Sequence, residues 1–269
     1  MTDCTTLPYN PANILLEAHD MQNLLKRFGI NQPLKDINIY RRAFVNKSYC
    51  TRRNDNFING NYKCPVDSLP LQEESNERLE FFGDAVLSLV TAKYMFDRYP
   101  KQNEGFLTTM RMKIVNGRML AELAENIGLG RFVIISQQLE QNGGRTHKSI
   151  LEDTLEALIG AIYLDFDVNG DGLRIAESWV VNMIEQMVDF VEIIQTNVNY
   201  KDKLVRFCQH NHQFIPEFET VVMKDRKSQG HKVIIRDNNK VIIAVGIQDT
   251  KKLAELEAAK KALQYYNIA

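Results

Sequence analysis

The segment "KSILEDTLEALIGAIYLD" (148–165) is the strongest constraint on how this chain folds. Apolar side chains occur on nearly every side of the helix that it predicts: Ile150, Leu151, Leu155, Leu158, Ile159 and Ile162. A helix that is apolar almost all round is buried. Asp153 and Glu156 nevertheless share one face of it, three positions apart. The chain therefore needs a core that encloses this helix and a group that neutralises the two carboxylates, because buried unpaired charges are costly.

A second acidic segment is "NERLEFFGDAVLSLV" (76–90). At about 100° per residue, Glu77, Glu80 and Asp84 fall within a sector of about 60°. The opposite side is expected to be apolar and carries Leu79, Phe82, Val86, Leu89 and Val90. Any surface helix can show this pattern. Taken with the acidic pair of the first segment, however, it gives an oxygen-rich set that Mg²⁺ or Mn²⁺ prefers, of a kind that cleaves phosphodiesters.

The pattern of the first two thirds of the chain predicts helices. One amphipathic helix candidate ends at Gly29. The polar, turn-rich sequence of residues 46–69 predicts a long loop. Helical periodicity then predicts an all-α region with helices over 76–98, 105–127, 148–164 and 174–194. The stretch 195–202 lacks apolar periodicity and marks the expected domain boundary. The best apolar run is far shorter than the about 20 residues of a membrane span, so no membrane partner is expected.

The chain changes character beyond that boundary. The runs "EFETVVMK", "HKVIIRD" and "KVIIAVGI" predict strands, and the last two are joined by Asn238 and Asn239, a pair suited to the positive φ of a hairpin turn. A helical pattern precedes them, and another follows with Asp249 or Thr250 as its N-cap. The predicted order is therefore α-β-β-β-α.

The near-zero net charge of −1 hides an uneven distribution. From residue 197 to the end, 13 Lys or Arg residues face 8 Asp or Glu residues, whereas the preceding part holds 20 against 26. An acidic body followed by a basic module is the profile expected when the module contacts a polyanion.

The four cysteines form no CxxC pair: Cys4, Cys50, Cys64 and Cys208. This usage, with no secretory leader in the sequence, favours reduced thiols in an intracellular, reducing compartment.

Three blocks of the chain resemble, in order, the characteristic blocks of the ribonuclease III family, the double-stranded-RNA-specific endonucleases. They read "NERLEFFGDAVL", "EGFLTTMRMKIVNGRMLAELAENIGLG" and "ILEDTLEALIGAIYLD". The α-β-β-β-α tail resembles the double-stranded-RNA-binding domain, most strongly in "TKKLAELEAAKKAL". The resemblance implies an all-α, ribonuclease III-like endonuclease domain over 37–195, followed by a small α+β double-stranded-RNA-binding domain over 199–267. It leaves 1–36 as an N-terminal extension.

The resemblance also implies roles for individual residues of the first domain. It makes four acids the Mg²⁺ ligands, with Mn²⁺ as a substitute: Glu80, Asp84, Asp153 and Glu156. Glu77 and Glu104 match acidic positions that line the same valley and assist catalysis or substrate placement. Phe81 matches an aromatic residue that packs across a homodimer interface.

In the tail, the resemblance places Gly230 and His231 in a loop that reaches the minor groove of the duplex. Lys251 and Lys252 match positions that bind phosphate at the start of the last helix, where the helix dipole also favours an anion. The tail departs from the family pattern at Val205, Arg206 and Glu255. We expect those departures to weaken duplex binding.

The implied activity is Mg²⁺-dependent cleavage of double-stranded RNA by a homodimer, which leaves 5′-phosphate and 3′-hydroxyl ends with short 3′ overhangs. Two alternatives keep the fold without the reaction: a protein that sequesters duplex RNA, and a structural ribosome-associated protein. The four ligand-type acids argue against both alternatives, because a fold with no metal to hold has no use for them.

Overall fold

The computed structural model of the chain describes residues 8–51, 64–195, 200–225 and 228–268. Cys4, residues 52–63 of the expected 46–69 loop and residues 196–199 of the expected boundary lie outside the described residues. The chain forms two compact units, Met1–Asp189 and Phe190–Ala269. No helix in the described ranges is both long and apolar enough to cross a bilayer.

The first unit is built from helices. Their bounds are Ala18–Arg27 (α1), Ile37–Ala43 (α2), Glu77–Arg98 (α3), Glu104–Ile114 (α4), Gly117–Asn126 (α5), Gln137–Gln141 (α6), Lys148–Asp167 (α7) and Gly172–Met187 (α8). Short 3₁₀ turns occur at Lys47–Tyr49, Leu129–Phe132 and Gly144–Thr146. The all-α prediction for this part of the chain is confirmed.

Two expected helices are interrupted. The single helix expected over 105–127 is instead α4 and α5, because the side chain of Asn116 accepts a hydrogen bond from the backbone N–H of Met119 at 3.1 Å and starts a new helix. The helix expected over 174–194 ends at Met187, and Phe190–Gln195 (α9) follows as a separate helix in the second unit.

Helix α7 lies at the centre of the first unit and contacts α2, α3, α5 and α8. Its apolar residues are almost completely buried, as the all-round pattern predicts: Leu155, Ala157, Leu158, Ile159, Ala161 and Ile162 are all 0% exposed. On the apolar side of α3, Leu79, Val86 and Val90 are buried, whereas Leu89 is 55% exposed.

Helices α3 and α7 cross at a pair of glycines. A Cβ atom on Gly83 would lie 1.8 Å from the carbonyl oxygen of Glu156, and one on Gly160 would lie 2.5 Å from the carbonyl oxygen of Leu79. Both neighbours are backbone atoms, so no side chain can move aside to make room. The absence of side chains at Gly83 and Gly160 therefore sets how closely the two acidic helices approach.

The segment that precedes α2 belongs to the same core. Phe28 packs edge-on against Trp179 of α8, with ring centroids 5.3 Å apart. The side-chain amide of Asn182 donates to the carbonyl oxygen of Phe28 at 2.9 Å, and Met21 and Leu25 are fully buried. Residues from α1 onward are thus packed into the first unit.

The second unit contains Tyr200–His212 (α10), Glu217–Asp225 (β1), Ser228–Arg236 (β2), Ile242–Gln248 (β3) and Lys251–Tyr265 (α11). The strands form an antiparallel sheet in the order β1-β2-β3. Helices α10 and α11 cover one face of the sheet, and Leu204, Val233 and Ala258 lie in the core between them. The α-β-β-β-α prediction is confirmed.

The turn and the cap in this unit settle two details of the sequence prediction. The positive φ of the β2–β3 turn occurs at Lys240 (62°), not at the asparagine pair, because Asp237 accepts hydrogen bonds from the N–H groups of Asn239 and Val241. Of the two candidate caps for α11, Thr250 is the N-cap, and its hydroxyl oxygen accepts from the N–H of Leu253 at 3.3 Å.

The helix crossing makes a direct prediction about stability. Gly83→Ala forces a Cβ atom into the backbone of α7, and overpacking of this kind lowers the free energy of unfolding by about 3 kcal/mol. We expect the thermal midpoint to fall by on the order of 10 °C, measured by circular dichroism.

Gly105→Ala in α4 is the matched control, because its Cβ atom would lie at an ordinary 3.6 Å from the side-chain oxygen of Asn103. That variant should keep or slightly raise the midpoint, since alanine favours helix. Equal midpoints for the two variants would contradict the account of the crossing.

Candidate active site

The glycine crossing brings the two acidic faces together. Gly83 lies between Glu80 and Asp84 on α3, and the atom it approaches is the carbonyl oxygen of Glu156 on α7. The carboxylates of the two helices therefore flank the same point of closest approach. Asp84 and Glu80 are near enough to Glu156 that their negative charges raise its pKa.

Glu156 experiences the strongest electrostatic strain of the group. Burial, followed by the negative charges of Asp84, Glu152, Glu80 and Asp153, raises its pKa to about 8. Desolvation and like charges both disfavour the ionised form of a carboxyl group. At neutral pH and without a cation, Glu156 therefore keeps its proton in much of the population.

Glu80 and Asp153 are perturbed in the same direction. Burial and then the charge of Asp153 raise the pKa of Glu80. Burial also raises the pKa of Asp153, while the ammonium of Lys47 partly opposes the rise. The excess of negative charge is thus shared between α3 and α7 and is not specific to one side chain.

Glu77 differs from the other acids because it already has a cation. The ammonium of Lys47 lies 3.1 Å from its carboxylate, and the hydroxyl of Ser75 donates to it at 3.1 Å. These hydrogen bonds lower the pKa of Glu77. Lys47 reaches it because the N–H of Asn76 donates to the carbonyl oxygen of Val45 at 2.8 Å, which fixes the 3₁₀ turn beside the start of α3.

The sequence reasoning missed two members of this cluster. Glu152 lies one turn before Glu156, and its pKa is raised by burial and by Asp153 and Asp84. The i, i+4 spacing of Glu152 and Glu156 could have revealed it. Lys47 carries no periodic signal, because its position depends on the tertiary path of its loop.

Glu104 makes its described contacts elsewhere. It lies in the first turn of α4, where its carboxylate accepts a hydrogen bond from the hydroxyl of Thr108 at 2.9 Å. It also lines a cavity of about 470 Å³ together with Phe96 and Arg111. The first unit by itself gives no described contact between Glu104 and the acids at the glycine crossing.

The acids at the crossing have the oxygen donors that a divalent cation prefers, but their side chains are not arranged around a common point. All the donors are carboxylate oxygens, which hard cations prefer, and their repulsion is the kind that a bound cation relieves. Within the described ranges, however, no three His, Cys, Asp or Glu side chains already converge on a position that could hold a metal ion. Binding an ion there requires the carboxylates to turn toward one another.

Exposed apolar residues follow one side of α3. Phe81, Leu89 and Phe96 are 82%, 55% and 69% exposed. Their spacing along the helix keeps them within a sector of about 80°. A cavity of about 500 Å³, lined in part by Phe81, Phe82 and Leu164, lies at one end of this stripe.

In the second unit, Gly230 and His231 lie in a strand and not in the expected loop. Both belong to β2, where they pair with Met223 and Val222 of β1 because the sheet extends to Ser228. The ring Nδ1 atom of His231 is buried and has no hydrogen-bond partner among the described residues.

Lys251 and Lys252 are exposed in the first turn of α11, as the sequence predicts. The first turn of a helix has backbone N–H groups without intrahelical partners and carries the positive end of the helix dipole. Glu255 lies one turn further along, with its carboxylate 4.0 Å from the ammonium of Lys251.

Comparison with known protein families identifies the family to which this chain belongs. The family model described as ribonuclease-III-like matches residues 36–186, and the double-stranded RNA binding motif matches residues 200–266. The chain belongs to the ribonuclease III family. It is thus a member of a family of endoribonucleases, with a double-stranded-RNA-binding domain after the nuclease domain.

Individual relatives agree with this assignment. The chain is 37% identical over 192 residues to ribonuclease 3 of Chlorobaculum tepidum, a match that covers 71% of this chain and 68% of that protein. A probable ribonuclease 3 of Acanthamoeba polyphaga mimivirus is 30% identical over 263 residues. That match covers 96% of this chain but only 47% of the mimivirus protein, so the chain spans about half of its length.

A solved structure supports the fold of the first unit. The nuclease domain of ribonuclease III from Campylobacter jejuni is 32% identical, with a TM-score of 0.50. The match covers 64% of this chain and 99% of that domain.

The raised pKa of Glu156 predicts how stability depends on pH without metal. An ordinary glutamate has a pKa of 4.5, whereas Glu156 in the folded protein keeps its proton up to a pH of about 8. The free energy of unfolding therefore falls as the pH rises through that window. Glu156→Gln removes this loss. In EDTA at pH 8, its thermal midpoint should exceed that of the wild type by on the order of 2–4 °C.

At pH 4, below the pKa of 4.5 of an ordinary glutamate, the two midpoints should nearly coincide, because the carboxyl group of Glu156 is then mostly protonated in both the folded and the unfolded protein. Added Mg²⁺ at pH 8 should close or reverse the difference, since the wild-type carboxylate then gains a counterion. A difference that changes with neither pH nor Mg²⁺ would exclude the proposed repulsion.

Proposed function

We propose that the protein is a Mg²⁺-dependent endoribonuclease that cleaves double-stranded RNA and leaves 5′-phosphate and 3′-hydroxyl ends with short 3′ overhangs. The main support is the set of acids that α3 and α7 hold at their crossing: Glu80, Asp153 and Glu156 are half-buried, Asp84 is exposed, and the pKa of Glu156 is raised to about 8. A fold retains such repulsion when a cation neutralises it.

Four acids would hold the ion: Glu80, Asp84, Asp153 and Glu156. Mn²⁺ would substitute for Mg²⁺, because it accepts the same oxygen donors. Bound there, the cation would favour deprotonation of the attacking water and stabilise the negative charge that develops on the phosphate and the departing 3′ oxygen.

Other residues of the chain would prepare the site around these ligands. Lys47 and Ser75 keep the carboxylate of Glu77 ionised and hydrogen-bonded. We therefore assign Glu77 to the surface that lines the site and not to the ligands of the ion. We assign Glu104 an assisting role of the same kind in RNA placement. Gly83 and Gly160 hold the two acidic helices at their close separation.

The test of the reaction uses purified protein and labelled duplex RNA, with Mg²⁺ or with EDTA, followed by mapping of both ends. The wild type should cut only with Mg²⁺ and leave the stated ends. Glu156→Gln keeps the size of the side chain but removes one ligand charge, so cleavage should fall by on the order of 10²-fold or more. Duplex binding should change by less than about twofold, because phosphate contacts supply most of the affinity.

Glu122→Gln is the matched control, since Glu122 pairs with Arg118 on the surface of α5. The Glu122→Gln variant should cut like the wild type. Wild-type cleavage by Glu156→Gln would remove α7 from the site. A wild type that binds duplex RNA but never cuts it would favour the sequestering protein instead.

The second unit would anchor the substrate. Lys251 and Lys252 would bind phosphates beside the N-terminal end of α11, and Gly230 and His231 would approach the minor groove from the start of β2. Such a module reads the shape of a duplex and not its sequence. The basic excess of this part of the chain supports the assignment.

Changing both Lys251 and Lys252 to Ala should raise the Kd for duplex RNA and flatten its dependence on salt. The slope of log K against log[salt] should fall by about one unit for each phosphate that a lysine no longer binds. Turnover at saturating RNA should change far less, because no ligand acid is altered. Normal binding combined with reduced turnover would show that the module is not the anchor.

We also propose that the protein acts as a homodimer through the apolar stripe of α3. An exposed apolar stripe of this kind is typical of an interface, and the cavity next to Phe81 has room for an aromatic side chain of a second copy. The related Campylobacter jejuni structure is described as showing flexibility in a region involved in dimer formation. A two-fold dimer suits a duplex, whose strands are related by local two-fold axes.

Phe81→Ala should weaken this dimer by about 30-fold or more, the effect of losing a central aromatic anchor, as measured by sedimentation velocity over a dilution series. Val66→Ala is the control, because Val66 is fully exposed outside the stripe. A monomeric wild type with full activity would contradict the proposal.

A further inference from the structure

Glu255 sits among the basic residues of the second unit. Its carboxylate lies 3.0 Å from the ammonium of Lys201 on α10 and 4.0 Å from that of Lys251 on α11. The side chain of Glu255 is only 20% exposed, whereas those of Lys201 and Lys251 are 43% and 61% exposed. The partly buried carboxylate of Glu255 therefore links the two helices through ion pairs with two lysines that are more exposed than it is.

Lys201 is held from a second side. Its ammonium also lies 4.8 Å from the ring centroid of Phe218, within the range of a cation–π contact. The pairing with Glu255 is thus a fixed feature of the packing between α10, α11 and β1. Lys251 makes the longer and more exposed of the two ion pairs, so it is the lysine that can more easily leave Glu255.

The carboxylate of Glu255 and a phosphate compete for the same donors. A lysine ammonium has three N–H donors and no acceptor, and it binds a carboxylate or a phosphate in the same way. A phosphate that approaches Lys251 must replace the internal carboxylate or share the ammonium with it. It also meets the negative charge of Glu255 about one helical turn away.

We propose that Glu255 is an internal competitor of phosphate that lowers the affinity of the second unit for duplex RNA below the value its lysines alone would give. This inference rests on the proposed binding of duplex RNA through Lys251. Binding exchanges the carboxylate of Glu255 for a phosphate at Lys251, while Lys201 stays paired. Glu255 thereby lowers the affinity of the protein for duplex RNA without taking part in the cleavage reaction.

The competition has a signature in the salt dependence. A lysine whose charge is offset by an internal carboxylate neutralises a phosphate less completely, so its binding releases fewer of the cations condensed on the duplex. Removing the charge of Glu255 should therefore tighten binding and also steepen its dependence on salt. A residue that only packs between the helices would change neither quantity in this direction.

The test measures the Kd of the full-length protein for a duplex RNA of about 30 base pairs, long enough for a module that spans about 16. EDTA is present so that Mg²⁺-dependent cleavage cannot occur. Glu255→Gln should lower the Kd about 3- to 10-fold at about 50 mM salt, and the slope should steepen by about one unit. The gain should shrink toward about 200 mM salt.

Glu257→Gln is the matched control. It removes the same charge from the same helix, but Glu257 lies two residues further along and on the opposite side of α11. There its carboxylate pairs with Lys261 at 2.7 Å and accepts from the N–H of Ile247 at 2.9 Å. It should stay within about twofold of the wild type, because its lysine is not at the proposed phosphate site. Thermal unfolding of both variants verifies that the fold is retained.

The outcomes separate this inference from the proposed function. If Glu255→Gln behaves like Glu257→Gln, or binds more weakly than the wild type, Glu255 is not a competitor. In that case a weakened Lys251→Ala/Lys252→Ala variant still leaves the RNA-binding proposal intact. If that double variant binds duplex RNA like the wild type, the proposed phosphate site itself is wrong.

A second variant tests the exchange through its partner. Lys251→Ala should weaken binding more in the Glu255→Gln background than in the wild type, because the lysine contributes fully only when the carboxylate is gone. Equal effects in the two backgrounds would overturn the proposal.

Discussion

The close crossing of α3 and α7 at Gly83 and Gly160 is the constraint on which the rest of the nuclease unit depends. Any side chain at either position would meet backbone atoms of the opposite helix. The crossing fixes α7 in the centre of the core and sets the acidic face of α3 against that of α7. One contact between backbones thus determines both the packing of the unit and the position of its acids.

The same contact places charges where a stable core would not have them. Burial and mutual repulsion raise the pKa values of Glu80, Glu152, Asp153 and Glu156 together. Lys47 relieves only the edge of the cluster at Glu77. The large apolar surface that α7 buries supplies the stability that lets the fold retain this repulsion. In the proposed function, the basic second unit would add affinity for an anionic RNA that an acidic body alone would repel.

The sequence predicted the elements better than their contacts. The all-round apolar pattern of 148–165 was enough to predict a buried helix with an acidic pair, because burial follows from local periodicity. The meeting of α3 and α7 followed only from the family resemblance, since the glycine contact joins residues far apart in the chain. Asn116 carried a local cap signal that could have divided the helix expected over 105–127. Lys47 carried none.

The metal site at the helix crossing can be observed directly in a crystal of the wild-type protein soaked with Mn²⁺, with anomalous scattering recorded near the manganese edge. We expect an anomalous peak at the crossing of α3 and α7, with carboxylate oxygens from both helices as ligands. We also expect these side chains to turn toward the ion. A peak held by one helix alone, or one that lies elsewhere on the protein, would show that the crossing does not form the metal site.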